Sequence, residues 1–198
     1  MTTFENIKNK IEDLKIIGEG WRAKVYRGKY QNKDLSFKVA SQEIHKHPIQ
    51  KEGQILKIVN QYGIGGKIFL TGEDFIAYEY IEGTHLNKVL NEENFKILIS
   101  QLLDQAYILD KLKIDKGEMH KPYSNVLVDK NLKVYLIDFE RATKSLKPKN
   151  VLNLVQFITR GKERNEELMD ILKEYKENQS EENYNKIKSY VLNLKRGA

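Results

Sequence analysis

The chain has 198 residues, 40% of them apolar, which is enough for one compact domain or two small lobes with a buried core. It contains no cysteine, which excludes disulfide frameworks and thiolate metal sites. Its 34 basic and 28 acidic residues give a net charge of +6, which favours anionic ligands such as nucleotides or RNA. No apolar run approaches the roughly 18 residues of a membrane span, so we expect a cytoplasmic protein with no membrane partner.

The first predicted elements are β-strands. Residues 13–40 contain three β-leaning segments separated by turns, a pattern that predicts an antiparallel meander. A helix is expected next, with Pro48 in its first turn and an apolar stripe that ends before the sequence YGIGG. The segments KIFLT and FIAYEYI, which are joined by GED, then predict a β-hairpin.

Helices are predicted to dominate the second half of the sequence. Apolar residues recur at helical spacing from Phe95 to Leu109, which predicts one long amphipathic helix. The sequence NVLVDKNLKVYLIDF predicts a hairpin-like pair of strands. Further helical patterns cover residues 151–158, 166–175 and 184–194.

This order of elements predicts an α+β fold with two lobes. Residues 1–82 are expected to form a five-stranded antiparallel lobe with one helix, and residues 83–198 a minimal, mainly helical lobe. Clefts between lobes are favoured ligand sites, so we expect the functional site where the two halves meet.

A candidate phosphate-binding loop lies between the first two predicted strands. In the sequence GEGWRAKV, Gly18, Gly20 and Ala23 occupy its three small-residue positions, Glu19 lies between the glycines, and Val25 starts the next strand. Small residues allow backbone N–H groups to approach phosphates closely. A plain hairpin turn explains the same pattern, so the loop needs support from other residues.

Two charged side chains predict an ion pair near this loop. Lys38 lies in the third predicted strand, where Phe37 and Val39 should face the other side of the sheet. Glu52 lies fourteen residues later, on the apolar side of the predicted helix. A pair between Lys38 and Glu52 would direct the lysine amine towards phosphates. A solvated lysine on an edge strand is the alternative interpretation.

Asn125 and Asp138 are the candidate metal ligands. Amide and carboxylate oxygens brought together from a loop and a strand end are ligands that Mg²⁺ accepts. Asp138 lies among apolar residues in LIDF, where a buried acid is costly unless a cation or a donor meets it. An ordinary turn aspartate at a strand end is the alternative interpretation.

Taken in chain order, these motifs resemble the protein-kinase-like superfamily over about residues 14–158, and the separation of 13 residues between Asn125 and Asp138 is the one kinases use. The chain looks most like small atypical kinases, such as the RIO type, the KEOPS-complex kinase and predicted archaeal Ser/Thr kinases. The resemblance implies a bilobal kinase-like fold, ATP and Mg²⁺ as ligands, and a protein substrate. No Ala-Pro-Glu sequence follows Asp138, which implies that an activation segment is lacking.

The resemblance also implies an adenine site. The sequence IAYEYIEG resembles the kinase hinge, with Tyr78 as the gatekeeper and backbone groups of Glu79 and Ile81 facing adenine. An aromatic-rich strand and turn is the alternative interpretation.

The catalytic base departs from the kinase pattern. Kinases have an aspartate five residues before the metal-binding asparagine, and His120 stands there in this chain. Aligning KGEM with the HGDL of small kinases makes Glu118 the acid instead and lengthens the loop by two residues. We prefer Glu118, because a carboxylate orients a hydroxyl and accepts its proton, whereas histidine beside a divalent cation orients it only weakly. Glu140 also replaces the glycine of the kinase Asp-Phe-Gly sequence.

Three functions are compatible with these motifs. The first, which we prefer, is an atypical Ser/Thr protein kinase that transfers the γ-phosphate of MgATP to a hydroxyl of a protein substrate. The second is a small-molecule kinase or an ATPase switch linked to RNA or a ribonucleoprotein. The third is a pseudokinase scaffold that binds nucleotide without turnover, which the departures at His120 and Glu140 suggest.

Overall fold

The protein is described by a computed structural model that covers residues 1–161 and 165–194 and divides into two compact units. The first unit comprises Met1–Glu82 together with Ile137–Arg141, and the second comprises Gly83–Leu136 and the chain from Ala142 onwards. The predicted α+β class is confirmed.

The first unit is built on a five-stranded antiparallel sheet, as the sequence predicts. Its strands are β1 (Glu12–Glu19), β2 (Ala23–Tyr30), β3 (Lys33–Ala40), β4 (Ile68–Thr71) and β5 (Phe75–Glu79), paired in the order β1-β2-β3-β5-β4. Gln31 and Asn32 join β2 to β3 with φ angles of 49° and 62°. Two consecutive residues with positive φ form the tight turn that matches the twist of a hairpin.

Helices cover both faces of this sheet. Helix α1 (Phe4–Lys8) buries Phe4 and Ile7 in an apolar cluster with Phe37 and Phe75. Helix α2 (Lys46–Val59) carries Pro48 in its first turn, as predicted, and lies between two 3₁₀-helices at Glu43–His45 and Asn60–Tyr62. A single helix in this lobe was therefore the wrong expectation. Five residues are too few to show a helical period, and α1 is stabilised by burial against the sheet.

The second unit is mainly helical. Its elements are β6 (Thr84–His85), α3 (Leu86–Val89), α4 (Phe95–Lys111), β7 (Ile114–Asp115), β8 (Val126–Val128), β9 (Val134–Leu136), β10 (Thr143–Lys144), α5 (Asn150–Ile158), α6 (Glu166–Glu177) and α7 (Glu181–Leu192). The predicted long helix is α4, whose apolar face is buried, and the predicted strand pair is the β8–β9 hairpin. Strands β6, β7 and β10 were not predicted, because two residues carry no period. None of the helices in the described ranges combines the length and apolar composition that crossing a bilayer requires.

A buried carboxylate joins α4 to α5 and α6 in the second unit. Asp110 is fully buried and accepts hydrogen bonds from the Asn150 backbone N–H at 3.0 Å and side-chain amide at 2.8 Å. It also accepts from the Val151 N–H at 3.3 Å and the Tyr175 hydroxyl at 2.8 Å. Burial raises the pKa of Asp110 to about 6, against the opposing effect of the hydrogen bonds from Tyr175 and Asn150.

We expect the ionisation of Asp110 to make the protein less stable as pH rises from about 4 to about 6. The folded-state pKa lies above the unfolded value of about 3.9, so the folded chain holds this proton more tightly. The resulting stabilisation is fully present below about pH 4 and is lost as pH rises through about 6. Asp110→Asn, which cannot ionise, should lack this part of the decrease when the free energy of unfolding is measured in urea across the pH range.

Asp170→Asn is the matched control, because Asp170 is an exposed aspartate on α6 of the same unit. It should follow the pH profile of the unmodified protein. An Asp110→Asn profile parallel to that of the unmodified protein between pH 4 and 6 would contradict the assignment.

Candidate functional site

Several predicted nucleotide-binding residues share one face of the sheet in the first unit. Val25 on β2 pairs with both Gly18 on β1 and Lys38 on β3, and Lys38 pairs with Ile76 on β5. Directly paired residues of antiparallel strands point to the same face. Tyr78 lies two residues after Ile76 and therefore adds to this face, which is opposite to the cluster under α1.

The turn between β1 and β2, which belongs to the glycine loop of residues 18–25, is tightly hydrogen-bonded. The Gly20 N–H donates to the Ala23 carbonyl at 2.9 Å, and the Ser41 N–H donates to the Arg22 carbonyl at 2.9 Å. Ala23 is buried at the start of β2. A Cβ atom at Gly18 or Gly20 would come no closer than 3.6 Å to its neighbours, which is ordinary van der Waals contact. A side chain at these two positions would therefore not clash with the unit, so its folding does not require glycine there.

An ion-pair cluster lies on the same face. It consists of Lys38 and three carboxylates. The Lys38 Nζ atom lies 2.7 Å from an oxygen of Glu52, 2.9 Å from one of Asp138 and 3.6 Å from one of Glu140. The Lys38 and Glu52 side chains are 9% and 3% exposed, whereas that of Asp138 is 44% exposed. The predicted pair of Lys38 and Glu52 is therefore present in the structure as a buried contact, with Asp138 on its solvent side.

The electrostatics of the cluster keep Lys38 charged. Burial lowers the pKa of Lys38, but the Glu52 and Asp138 carboxylates outweigh burial and raise it above its ordinary value. Burial raises the pKa of Glu52, although the Lys38 ammonium opposes this effect. The ligand atoms of Glu52, Asp138 and Glu140 lie within 4.8 Å of one another. Carboxylate oxygens are ligands that Mg²⁺ prefers, and these three carboxylates together carry more charge than Lys38 alone neutralises.

The segment Ile137–Arg141 contributes the exposed part of this cluster. Phe139 is fully buried, and its backbone N–H donates to the Glu52 Oε1 atom at 3.0 Å. Asp138 has a φ angle of 60°, a left-handed conformation that is uncommon outside glycine and concentrates at functional sites. The sharp turn at Asp138 lets Phe139 fill the interior while Asp138 and Glu140 reach the cluster.

Arg22 is a member of this site that the sequence motifs do not predict. Its Nη1 atom donates to the Glu140 Oε1 atom at 2.9 Å, which links the glycine loop to the segment Ile137–Arg141. Nothing in the sequence distinguishes Arg22 among 34 basic residues except its place within GEGWRAKV. Its partner is 118 residues away, and no local pattern reveals a contact of that separation.

Tyr78 is a half-buried side chain close to the cluster. Burial and the nearby Glu52 carboxylate raise the pKa of Tyr78 to about 12, so the phenol is neutral. A Cβ atom at Gly66 would lie 2.5 Å from the Tyr78 ring. A side chain at position 66 would therefore clash with the Tyr78 ring where it now lies.

The remaining predicted nucleotide-binding residues of the first unit are Glu19, Glu79 and Ile81. The backbone N–H of Glu79 donates to the Lys67 carbonyl at 2.9 Å, so it is not available to a ligand. Within the described part of the chain, the backbone N–H of Ile81 has no hydrogen-bond partner. The Glu19 carboxylate forms an ion pair with Lys24 at 3.0 Å on the exposed side of the glycine loop.

In the second unit, the Glu118 side chain lies next to Asn125. The Asn125 Nδ2 atom donates to the Glu118 Oε2 atom at 3.2 Å, and Glu118 adopts a left-handed φ of 55°. The His120 carbonyl accepts from the Arg160 Nη2 atom at 3.2 Å. Asn125 belongs to the second unit and Asp138 to the first, and their sharing of one metal ion stays a prediction.

Comparisons with known proteins add no family to this description. No protein-family model matches the chain, and no curated protein matches it significantly. The resemblance to the protein-kinase-like superfamily stays a prediction that rests on the motifs.

We expect Lys38→Met to destabilise the protein strongly, because it leaves Glu52 buried without its cation. Removing one partner of a buried ion pair typically costs about 3–5 kcal/mol. The double variant Lys38→Met/Glu52→Leu should recover much of the loss, because it leaves no uncompensated charge on α2. The free energy of unfolding in urea measures both effects.

Lys33→Met is the control, since Lys33 lies 3.8 Å from Glu79 in an exposed pair on the same strand as Lys38. Exposed pairs of this kind contribute about 0–1 kcal/mol. Equal losses for Lys38→Met and Lys33→Met would show that burial of the charge has no energetic weight here.

Proposed function

We propose that the chain is an atypical Ser/Thr protein kinase that transfers the γ-phosphate of MgATP to a hydroxyl group. The observation that carries this proposal is the ion-pair cluster, in which buried Glu52 holds a charged Lys38 beside the solvent-facing Asp138. An oriented lysine near a glycine loop is a polyphosphate-binding group. The bilobal kinase-like fold, with residues 1–82 and 83–198 as its lobes, is part of the same proposal.

The first unit supplies the nucleotide-binding groups in this proposal. Lys38 binds the phosphates, and Glu52 fixes the position of its amine. Gly18 and Gly20 leave space for phosphates to approach the backbone of the glycine loop, which includes Glu19, Ala23 and Val25. The Ile81 N–H is a donor for the adenine edge, next to Glu79 and the Tyr78 ring.

Mg²⁺ would be held by Asp138 and by the side-chain oxygen of Asn125, and when bound it would neutralise phosphate charge. Asp138 has a left-handed backbone conformation, and its side chain is 44% exposed. The Asn125 amide nitrogen donates to Glu118 at 3.2 Å, and the Asn125 oxygen accepts a hydrogen bond from the Ser124 hydroxyl at 3.4 Å, which a metal would have to replace.

Transfer needs a group that receives the proton of the acceptor hydroxyl. The hydroxyl oxygen attacks the γ-phosphorus, the bond between that phosphorus and the β,γ-bridging oxygen breaks, and ADP leaves. We assign the proton to the Glu118 carboxylate, because Asn125 orients it by a hydrogen bond. Loss of a base typically costs about 10²- to 10⁴-fold in rate, since positioning and charge neutralisation supply most of the acceleration.

We expect the purified chain to transfer label from γ-labelled MgATP to itself or to a basic carrier protein. Asp138→Ala should abolish labelling, because it removes the exposed carboxylate that holds the metal. Glu118→Gln should lower the rate by about 10²- to 10⁴-fold and leave nucleotide affinity unchanged, whereas His120→Gln should retain most of the activity.

Asp170→Ala is the control, because it removes an exposed carboxylate of α6 and should keep full activity. Labelling that persists in Asp138→Ala would contradict the proposal. Thermal stabilisation by ATP without any ADP formed would instead identify a pseudokinase that binds nucleotide without turnover.

A lysine surface of the second unit favours a second candidate function, an ATPase switch linked to RNA. The lysine surface consists of five exposed side chains around the β7–β10 pair: Lys111, Lys113, Lys144, Lys147 and Lys149. The Ser145 N–H donates to the Lys113 carbonyl at 2.9 Å, which holds the two lysine-bearing segments together. In the described ranges, no carboxylate forms an ion pair with any of the five. Unpaired cations on adjoining segments suit a phosphate backbone.

We expect the triple variant Lys144→Ala/Lys147→Ala/Lys149→Ala to weaken binding of a short single-stranded RNA. The slope of log affinity against log salt should fall by about 2, because each lost phosphate contact removes roughly 0.7 on a single strand. Fluorescence anisotropy over a salt series measures this slope, and phosphate release measures stimulation of ATP hydrolysis by the same RNA.

The matched control is Lys96→Ala/Lys173→Ala/Lys176→Ala, which removes three exposed lysines of the same unit outside the lysine surface. Equal effects of both triples would show that net charge, not this surface, attracts RNA. ATP turnover that is indifferent to RNA, with protein labelling intact, would eliminate the RNA-linked function and keep the kinase proposal.

A further inference from the structure

One carboxylate of the first unit lies between two cations. The Glu140 Oε1 atom is 2.9 Å from the Arg22 Nη1 atom, and the Glu140 Oε2 atom is 3.6 Å from the Lys38 Nζ atom. The Glu140 side chain is only 15% exposed, whereas that of Arg22 is 40% exposed. Arg22 and Lys38 therefore converge on a single bridging anion at the inner side of the glycine loop.

The charge of Lys38 is already neutralised by carboxylates other than Glu140. Glu52 and Asp138 already approach its ammonium at 2.7 and 2.9 Å, and Glu140 is the most distant of the three carboxylates. Among the described residues, three carboxylates of the cluster meet two cations, Lys38 and Arg22, so the addition of a polyphosphate increases an excess of negative charge. Glu140 is the carboxylate whose displacement costs Lys38 least.

A phosphate group can replace this carboxylate. Both groups present terminal oxygens on one centre, and arginine binds both by charge-assisted hydrogen bonds. The turn that contains Arg22 is held in place by two backbone hydrogen bonds, which the N–H groups of Gly20 and Ser41 donate. Little reorganisation of the backbone is needed for the guanidinium to exchange one anion for the other.

We infer that Arg22 is a phosphate-binding residue of the nucleotide site and that Glu140 is an internal competitor, which holds the place of a nucleotide phosphate between Arg22 and Lys38. This inference rests on the proposed nucleotide-binding function. It adds a side-chain phosphate contact to a loop whose motif offers only backbone groups, and it gives Glu140 a role that glycine cannot fill.

Titration calorimetry with ATP and with inorganic tripolyphosphate, each with EDTA and with Mg²⁺, tests the inference. Glu140→Gln should tighten both ligands in EDTA by roughly tenfold, because the competing charge is gone. Arg22→Gln should weaken binding, and by a larger factor in the Glu140→Gln background, where Arg22 is free to bind phosphate. Arg22→Lys should recover only part of the loss, because lysine lacks the planar fork.

Glu73→Gln is the matched control, since Glu73 pairs with Lys46 at 2.7 Å in the same unit but outside the ion-pair cluster. Its affinity for ATP should equal that of the unmodified protein, and thermal melts should show every variant folded. Unchanged or weaker ATP binding by Glu140→Gln in EDTA would overturn the inference, as would additive effects of the two substitutions. Weakening confined to MgATP would make Glu140 a metal ligand and also overturn it. Failure of every protein to bind ATP would remove the proposed function itself.

Discussion

The buried ion pair between Lys38 and Glu52 is the interaction on which the proposed chemistry depends. An ammonium removed from water is stable only where carboxylates repay the loss of hydration, and Glu52 and Asp138 do so at 2.7 and 2.9 Å. The same glutamate accepts the backbone N–H of Phe139, so one side chain fixes both the lysine and the segment Ile137–Arg141. Strand β3, helix α2 and this segment are thus joined at a single point.

The charged side chains around this pair carry an excess of negative charge, so an anionic ligand would need an additional cation or the loss of a carboxylate to bind there. Among the described residues, three carboxylates lie at the site, and Lys38 and Arg22 form ion pairs with them. In the proposed site, a divalent ion on Asp138 would reduce the excess of negative charge, and displacement of Glu140 by a phosphate would remove one carboxylate from Lys38 and Arg22 without a metal. On this proposal, Glu140 changes the affinity for the ligand rather than the fold.

The second unit holds its loop residues by different means. Asp110 joins α4 to the start of α5 and to Tyr175 through four hydrogen bonds. Asp110 is buried near the end of α4, eight positions before Glu118 in the sequence. Glu118 and Asn125, which are seven positions apart in the sequence, are joined by a hydrogen bond across this loop. If Glu118 accepts a proton as proposed, the elements on both sides of this loop would hold its carboxylate in a fixed orientation, on which catalysis depends.

Local sequence patterns predict the elements that are long enough to show a period or a turn signal. The meander of β1 to β3, the β4–β5 hairpin, α2 with Pro48 and the apolar face of α4 follow from periodicity and turn residues, and they agree with the structure. The order of Lys38 and Glu52 on a strand and a helix also predicted their pairing, since both lie on faces that the pattern assigns. The other features depend on tertiary contacts. Helix α1 and the two-residue strands exist because of burial and pairing with distant partners, and Arg22 meets Glu140 across 118 residues. The contact between Glu118 and Asn125 depends on the fold of one loop, and the preference for Glu118 over His120 as the base stays a prediction. Local patterns record which face of an element is apolar, but they do not record which distant side chains that face will meet.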